Sequence, residues 1–298
     1  MRIPRLPDTL VLGLCLVPAV GLLALTQFWP LAHSLNVSLH DWTLARSPVM
    51  GDFVGLNNYR RALSDPLFTG SASYTITLAL VSTALSLALG MALALLTAGE
   101  DGRLHVARTL LLLPMVIAPV AAGTMWRMML AARVGPVNAG LGALGLPTPN
   151  WLGDPFLARA SLIVIDAWQW TPFVMIVMSA ALTAIPPEVI RAARMDGAGR
   201  FYIFRRIVLP MVMPVLVLVG MFRLIDALMT LDIVFTTTGG GPGFATQTLS
   251  YWIYMQGLRY FNISYAAAAS WLLLAMCMVV AAGLLLWRRR MMRWQAGA

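Results

Sequence analysis

The chain has 298 residues, of which 59% are apolar and only 11% are charged, and its formal net charge is +9. The mean hydropathy is +0.78. Apolar residues gathered in long uncharged runs exclude an ordinary soluble domain and predict an all-α, multi-pass membrane protein. The short alternating segments of spanning strands do not occur.

Six apolar stretches are long enough to span as helices, because a helix needs about 20 residues to cross the hydrocarbon core. They lie at about residues 10–31, 74–98, 106–130, 160–185, 207–235 and 265–287. The first stretch is longer than the apolar region of a signal peptide, and no clear cleavage site follows it. We therefore expect an uncleaved first helix.

The positive charge follows the predicted topology. All 21 basic residues are arginines. Thirteen of them fall in segments on the same side as the N-terminus and seven on the other, while Arg223 lies within the fifth predicted span. By the positive-inside rule, this bias predicts that both termini are cytoplasmic, and it accounts for the charge without a nucleic-acid partner. The absence of lysine excludes a Walker A lysine from this chain.

Three segments are predicted on the outer side. The first, about residues 33–73, should be irregular with short surface helices, since Pro48, Gly51 and Pro66 interrupt it. The second, about residues 131–159, is rich in glycine and proline and should be a loop. The third, residues 236–248, reads TTTGGGPGFATQT. A short inner turn at residues 99–105 links the second and third spans.

The segment between the fourth and fifth spans contains five arginines in the run RAARMDGAGRFYIFRRIVLP, residues 191–210. Pro186 and Pro187 before Glu188, and Gly197 after Asp196, predict a short helix with proline at its start and glycine past its end. From the residues alone, two interpretations remain open. The helix either rests on the lipid surface with its arginines near headgroups or docks on a cytosolic partner.

This segment resembles the EAA loop of ABC-importer permeases. Arg191 stands where the family has the glutamate of that motif. The positions that match are Ala192, Ala193, Asp196, Gly197, Ala198, Ile207, Leu209 and Pro210.

Two more stretches resemble carbohydrate permeases of the maltose-importer type. FVGLNNY, at residues 53–59, is similar to an element of their first outer loop. A second element spans residues 231–254, where Leu231 replaces the usual aromatic residue. Its matching positions are Asp232, Gly240, Gly241, Pro242, Thr246 and Tyr254.

The resemblance implies the fold of a type I ABC-importer permease, with six transmembrane helices in the bacterial cytoplasmic (inner) membrane. It implies a second homologous permease subunit, two cytosolic ATP-binding subunits that use ATP and Mg, and a periplasmic or lipoprotein sugar-binding protein. The chain itself would be a non-catalytic transport subunit with no cofactor or metal of its own. The implied ATPase-coupling residues are Glu188, Arg191, Ala192, Ala193, Asp196, Gly197, Ala198 and Phe204.

Charged residues inside a membrane call for a partner or a function. Asp166, Arg223, Asp226 and Asp232 are such residues, and Asp166 and Arg223 should reach a similar depth. By resemblance, the sugar-binding residues are Asp166, Gln169, Trp170, Phe173, Arg223, Ala227 and Thr230. The alternative is that these charges form a neutralised pair that holds the helices together.

Three other functions remain as alternatives. A glycerol-phosphate or polyol importer could use the same scaffold, although a phosphate would want more cationic groups. An ATP-independent secondary transporter need not carry an EAA loop, and a membrane enzyme should show a catalytic constellation. The predicted division is residues 1–70 for the first helix and outer loop, 71–290 for the permease core with the coupling loop at 186–210, and 291–298 for a cytoplasmic tail.

Overall fold

The computed structural model describes residues 8–98 and 102–296, and these are almost entirely helical. Within them, strand-like pairing is limited to one isolated bridge between His40 and Phe53. Arg2, Arg5 and parts of the predicted inner turn and tail lie outside the described residues. The α-helices are α1 (Asp8–Leu23), α2 (Trp29–Ser38), α3 (Asn57–Ser64), α4 (Pro66–Leu96), α5 (Gly102–Leu111), α6 (Leu113–Val116), α7 (Pro119–Met129), α8 (Pro136–Ala143), α9 (Pro155–Thr183), α10 (Pro187–Met195), α11 (Arg200–Ile203), α12 (Leu209–Leu228), α13 (Asp232–Thr237), α14 (Leu249–Tyr254) and α15 (Ile263–Ala296).

Five helical stretches are long and apolar enough to cross a membrane. They are Leu16–Ser38, Pro66–Leu96, Pro155–Thr183, Arg200–Leu228 and Ile263–Leu286. Each coincides with a predicted span, which confirms the all-α membrane architecture.

The third predicted span, residues 106–130, is not one straight helix. It consists of two helical pieces, Val106–Val116 and Pro119–Met129, bent by 97° at the break between them. Pro119 explains the break, because proline has no N–H to continue a helix and forces the preceding residue into an extended conformation. Ala118 is indeed extended, with ψ of 137°.

Other predicted boundaries also need correction. The first helix continues through a π-helical turn, Ala24–Phe28, to Ser38, so the segment predicted to be external begins later than residue 33. The fifth span ends at Leu228 and not at Phe235, because three residues separate α12 from α13. The second outer segment contains α8 and is not loop throughout; its Gly135 and Pro136 form a good helix start.

Helices α2 and α3 belong to a first compact unit, made of the described residues up to Asp65 and of Ile253–Leu272. Asn58, from the FVGLNNY stretch, donates to the carbonyls of Ser38 and His40 at 2.9 and 2.8 Å. Tyr265 donates its hydroxyl proton to Asp65 Oδ2 at 3.0 Å. These polar contacts join the segment around α3 to the end of α2 and to the start of α15 within the unit.

The second unit contains the described residues of Pro66–Trp252 and those from Leu273 onward. Within it α4, α9 and α12 pack against one another. Their apolar core includes Met175, Met178 and Val212. A Cβ atom at Gly90 would lie 2.5 Å from Val174 Cβ, so glycine permits the close approach of α4 to α9. The predicted domain division at residues 70 and 290 stays a prediction.

Candidate functional site: the intramembrane charges and the EAA helix

The EAA helix, α10, forms as its sequence predicts. Pro187 occupies the first turn, where its missing N–H leaves no hydrogen bond unmade. At the other end Gly197 has φ of +77°, which glycine adopts without steric cost. The amide of Gly197 donates to the Arg194 carbonyl at 3.1 Å, and that of Ala198 to the Ala193 carbonyl at 3.0 Å. This pair of bonds is a Schellman motif, which ends the helix.

Helix α10 has no buried residue. Met195 at its end is 89% exposed, so the chain itself hardly covers this side chain. Arg191 Nη2 forms an ion pair with Glu188 Oε1 at 2.7 Å, so the arginine that replaces the family glutamate is balanced within the helix.

The other predicted coupling residues divide into two groups. Ala192, Asp196 and Gly197 are exposed, while Ala193 and Ala198 are half-buried. Phe204 is also half-buried, and it lines a cavity between α10 and the ends of α4 and α9.

Arg223 is the centre of a buried charged cluster inside the second unit. Its Nη2 pairs with Asp166 Oδ2, and its Nη1 lies 3.0 Å from Asp226 Oδ2. Ser82 Oγ is 3.4 Å from Nη2, and the guanidinium lies 5.5 Å from the Trp170 ring centroid. The cluster therefore joins α12 to both α4 and α9.

Several buried polar atoms of α4, α9 and α12 have no hydrogen-bond partner within the described chain. Asp166 Oδ1 and Arg223 Nε belong to the cluster, and Thr83 Oγ1 and Gln169 Oε1 lie on the same helices as cluster residues. Buried polar groups normally find a partner in protein or water. The cluster thus retains hydrogen-bonding capacity for water or a hydroxylated molecule.

Gln169 stabilises the break in the third span. Its Nε2 donates to the Ile117 carbonyl at 2.9 Å, and Ile117 lies in the break, directly after the last residue of α6. A backbone carbonyl freed by a bend needs another donor within a bilayer, where water is scarce. The Gln169 amide nitrogen therefore has a structural partner, while Gln169 Oε1 has none within the described chain.

The predicted sugar-binding residues differ in accessibility. Asp166, Gln169, Arg223 and Ala227 are buried within the chain. The others are half-buried: Trp170, Phe173 and Thr230. Trp170 and Phe173 contact edge to face, with ring centroids 6.2 Å apart.

Helix α12 also carries a stripe of exposed residues near its end. Phe222, Asp226 and Met229 follow one another at i, i+4 and i+7, which places them on one face. Phe222 and Met229 are each 59% exposed, and the side chain of Asp226 is 46% exposed. The sequence analysis flagged Asp226 as a membrane charge but did not include this stripe among the sugar-binding residues. The sequence shows the helical spacing of these three residues, but the packing of α12 against other helices decides which of its faces is exposed.

The loop with the sequence GGGPG is compact. Gly239, Gly240 and Gly243 all have positive φ. Thr246 Oγ1 donates to the Gly241 carbonyl at 2.6 Å, and Arg159 Nε donates to the Ala245 carbonyl at 2.7 Å. The loop is thus closed on itself and tied to the start of α9.

Comparison with known proteins agrees with this geometry. Residues 90–293 match the protein family described as the inner membrane component of binding-protein-dependent transport systems. The chain is 35% identical over 257 residues to the trehalose/maltose transport system permease protein MalF of Thermococcus litoralis, covering 86% of this chain and 80% of that one. It is 32% identical over 277 residues to the sulfoquinovosyl glycerol transport system permease protein SmoG of Agrobacterium fabrum, covering 93% and 90%.

Solved structures share the fold. A chain of a bacterial ABC transporter that imports the acidic polysaccharide alginate superposes with a TM-score of 0.81, at 22% identity, over 95% of this chain and 96% of that chain. This likeness shows the fold, which agrees with the five to six candidate spans. The family match over residues 90–293 and the relatives at 35% and 32% identity show the family. The chain belongs to the family of inner membrane components of binding-protein-dependent transport systems, and it is a multi-pass permease subunit of an ABC transporter.

Proposed function

We propose that this chain forms half of the pathway of an ATP-driven importer for a sugar or related carbohydrate. The observation that carries the proposal is the exposed, well-capped α10 in a chain whose relatives are named as trehalose/maltose, lactose and sulfoquinovosyl glycerol permeases. The chain itself would not be catalytic, since ATP and Mg would be used by two cytosolic ATP-binding subunits. A second homologous permease and a periplasmic or lipoprotein receptor would complete the complex in a bacterial inner membrane, with both termini of this chain cytoplasmic.

The coupling role rests on the surface of α10. Met195 and Val189 are exposed apolar side chains on a short helix that the chain leaves uncovered. A partner that docked on α10 would remove these apolar side chains from water, which favours association. An ATPase cleft that closes on α10 would move α9 and α12, which flank it in sequence.

The stripe on α12 supports a polar, uncharged substrate. A carboxylate inside the membrane is costly in contact with lipid, so the face that carries Asp226 should border the pathway. An aromatic ring stacks on the C–H face of a sugar, and a carboxylate accepts bonds from its hydroxyls. Phe222 and Asp226 provide that combination.

The charge of the cluster favours a sugar over a phosphate ester. Arg223 forms ion pairs with two carboxylates, those of Asp166 and Asp226. Two carboxylates around one guanidinium leave a net charge of about −1 when all are ionised. A glycerol-phosphate substrate would be repelled by such a site.

Coupling is tested with the complex reconstituted with its ATPase and receptor subunits. Met195→Asp should remove most sugar-stimulated ATP hydrolysis, because a charge would be buried at the docked interface. Val134→Asp is the matched control, since Val134 is 85% exposed on a different loop. Unchanged stimulation in the Met195 variant would contradict the docking role.

The substrate side is tested by uptake of candidate sugars. Asp226→Asn should reduce uptake while the Arg223–Asp166 pair and the thermal stability remain. A loss of stability equal to that of an Arg223 variant, with uptake per folded complex unchanged, would assign Asp226 to structure alone.

A further inference from the structure

A cavity of about 500 Å³ lies between α10 and the adjoining ends of the spanning helices. Its floor is apolar and includes Leu95 near the end of α4, Leu182 near the end of α9 and Val208 just before α12. A cavity of this size is within the usual range for small-molecule sites. The floor alone would suit any apolar group.

The rim of the cavity is cationic. Three arginines line it: Arg191, Arg194 and Arg200. Arg191 is balanced by Glu188. Arg194 and Arg200, in contrast, form no ion pair with any carboxylate of the described residues. The cavity therefore offers two uncompensated guanidinium groups above an apolar floor.

The position of the cavity matches the boundary of a bilayer. α4 ends at Leu96 and α9 at Thr183, so the floor is made by the last turns of two candidate spans. A neighbouring cavity of about 420 Å³ shares Ala98 and Leu182 and is lined by Arg108. Cationic side chains that end apolar helices lie at the headgroup level of a membrane.

We propose that this cavity binds one anionic phospholipid of the leaflet in which α10 lies. Its phosphate would contact Arg194 and Arg200, and the upper part of an acyl chain would lie on Leu95 and Val208. Basic pockets between spanning helices recognise anionic lipid headgroups in this way. A soluble anion would use the arginines but would leave the apolar floor exposed to water.

The bound lipid would lie directly beneath the coupling helix. Ile190 and Phe204, on either side of Gly197, also line the cavity. A lipid in this place would fill the space against which α10 is pushed when a partner presses on it. This consequence rests on the proposed coupling role, whereas lipid binding itself does not.

The test uses the full chain in nanodiscs and measures retained lipid after extraction. Discs with a mixture of phosphatidylglycerol and phosphatidylcholine should yield bound phosphatidylglycerol in excess over its share. The double variant Arg194→Gln, Arg200→Gln should lower that selectivity about tenfold or more, since a basic residue near the surface contributes on the order of 1 kcal/mol. The matched control is Arg205→Gln, Arg206→Gln, which removes the same charge from the same loop outside this cavity.

Equal losses in the two double variants would mean general electrostatic attraction and would overturn the proposal. Displacement of the lipid by inorganic phosphate would identify a soluble-anion site and would overturn it as well. Loss of bound lipid on adding the ATPase subunits would identify the cavity as a protein interface, which also contradicts a lipid site. Selective lipid retention in a complex without sugar-stimulated ATP hydrolysis would contradict the proposed function while supporting the lipid site.

Discussion

Two arginines in this chain each pair with a carboxylate three residues away, and their surroundings are opposite. In α10, Arg191 and Glu188 lie 2.7 Å apart with side chains 68% and 70% exposed. In α12, the Arg223 side chain is fully buried, and it binds Asp226 as well as Asp166 from another helix. The same local spacing thus produces a solvated pair in one helix and part of a buried cluster in the other.

Sequence spacing therefore indicates which ion pairs can form, while burial decides how much each pair contributes to the free energy of unfolding. An exposed ion pair contributes about 0–1 kcal/mol, because water and salt screen it and two long side chains lose freedom. Removing one partner of a buried pair costs about 3–5 kcal/mol, because a charge remains without water or counter-ion. The contrast between α10 and α12 can therefore be measured.

The largest effect is expected at Arg223. Arg223→Met should lower the free energy of unfolding by about 3–5 kcal/mol, since it leaves Asp166 buried and unpaired. The double variant Arg223→Met, Asp166→Leu should lose less than Arg223→Met alone. Denaturation of the purified chain in detergent measures both. A double variant that is less stable than the sum of the single changes would contradict an ion-pair role.

A smaller effect is expected from a neutral change in the same helix bundle. Gly90→Ala would place a methyl group 2.5 Å from Val174 Cβ and 3.0 Å from the Met175 amide nitrogen. Overpacking of this kind costs about 1–3 kcal/mol. Gly283→Ala is the control, because a Cβ there would meet nothing within 4 Å. Denaturation curves that coincide for the two variants would show that α4 and α9 separate easily.

The smallest effect is expected at the exposed pair. Glu188→Gln should change the free energy of unfolding by less than about 1 kcal/mol. Arg191→Gln should behave alike in the same denaturation assay. A loss as large as that of Arg223→Met would show that α10 is covered in the isolated chain.

Much of the fold could be predicted from the sequence because the bilayer simplifies the problem. Apolar runs of about 20 residues must form helices there, since no water satisfies their backbone groups. The start of α10 at Pro187 and its end at Gly197 also follow from local chemistry, because proline and glycine limit what their own backbone can do. The resemblance of this loop to the EAA motif then indicated the family.

The tertiary structure was needed wherever a side chain could pair with more than one partner or could be either buried or exposed. Local spacing allowed Arg223 to pair with Asp226, but only the packing of α9 against α12 added Asp166 and buried the arginine. Similarly, Pro119 accounts for the 97° break locally, but only tertiary packing supplied Gln169 of another helix as the donor to the freed Ile117 carbonyl. The same packing buried four of the predicted sugar-binding residues, Asp166, Gln169, Arg223 and Ala227, and it left Asp226 as the exposed carboxylate of the cluster.

By itself, the sequence determined that the chain is a helical membrane protein with a short capped loop helix, since those features depend on local backbone chemistry and on hydrophobic length; its permease role was indicated by the resemblance of its motifs to a family. Three other features depend on contacts between residues far apart in the chain. They are which charges are buried, which face of α12 is exposed, and where a cavity forms beside α10. Such contacts arise only when helices pack, so only the tertiary structure decided them.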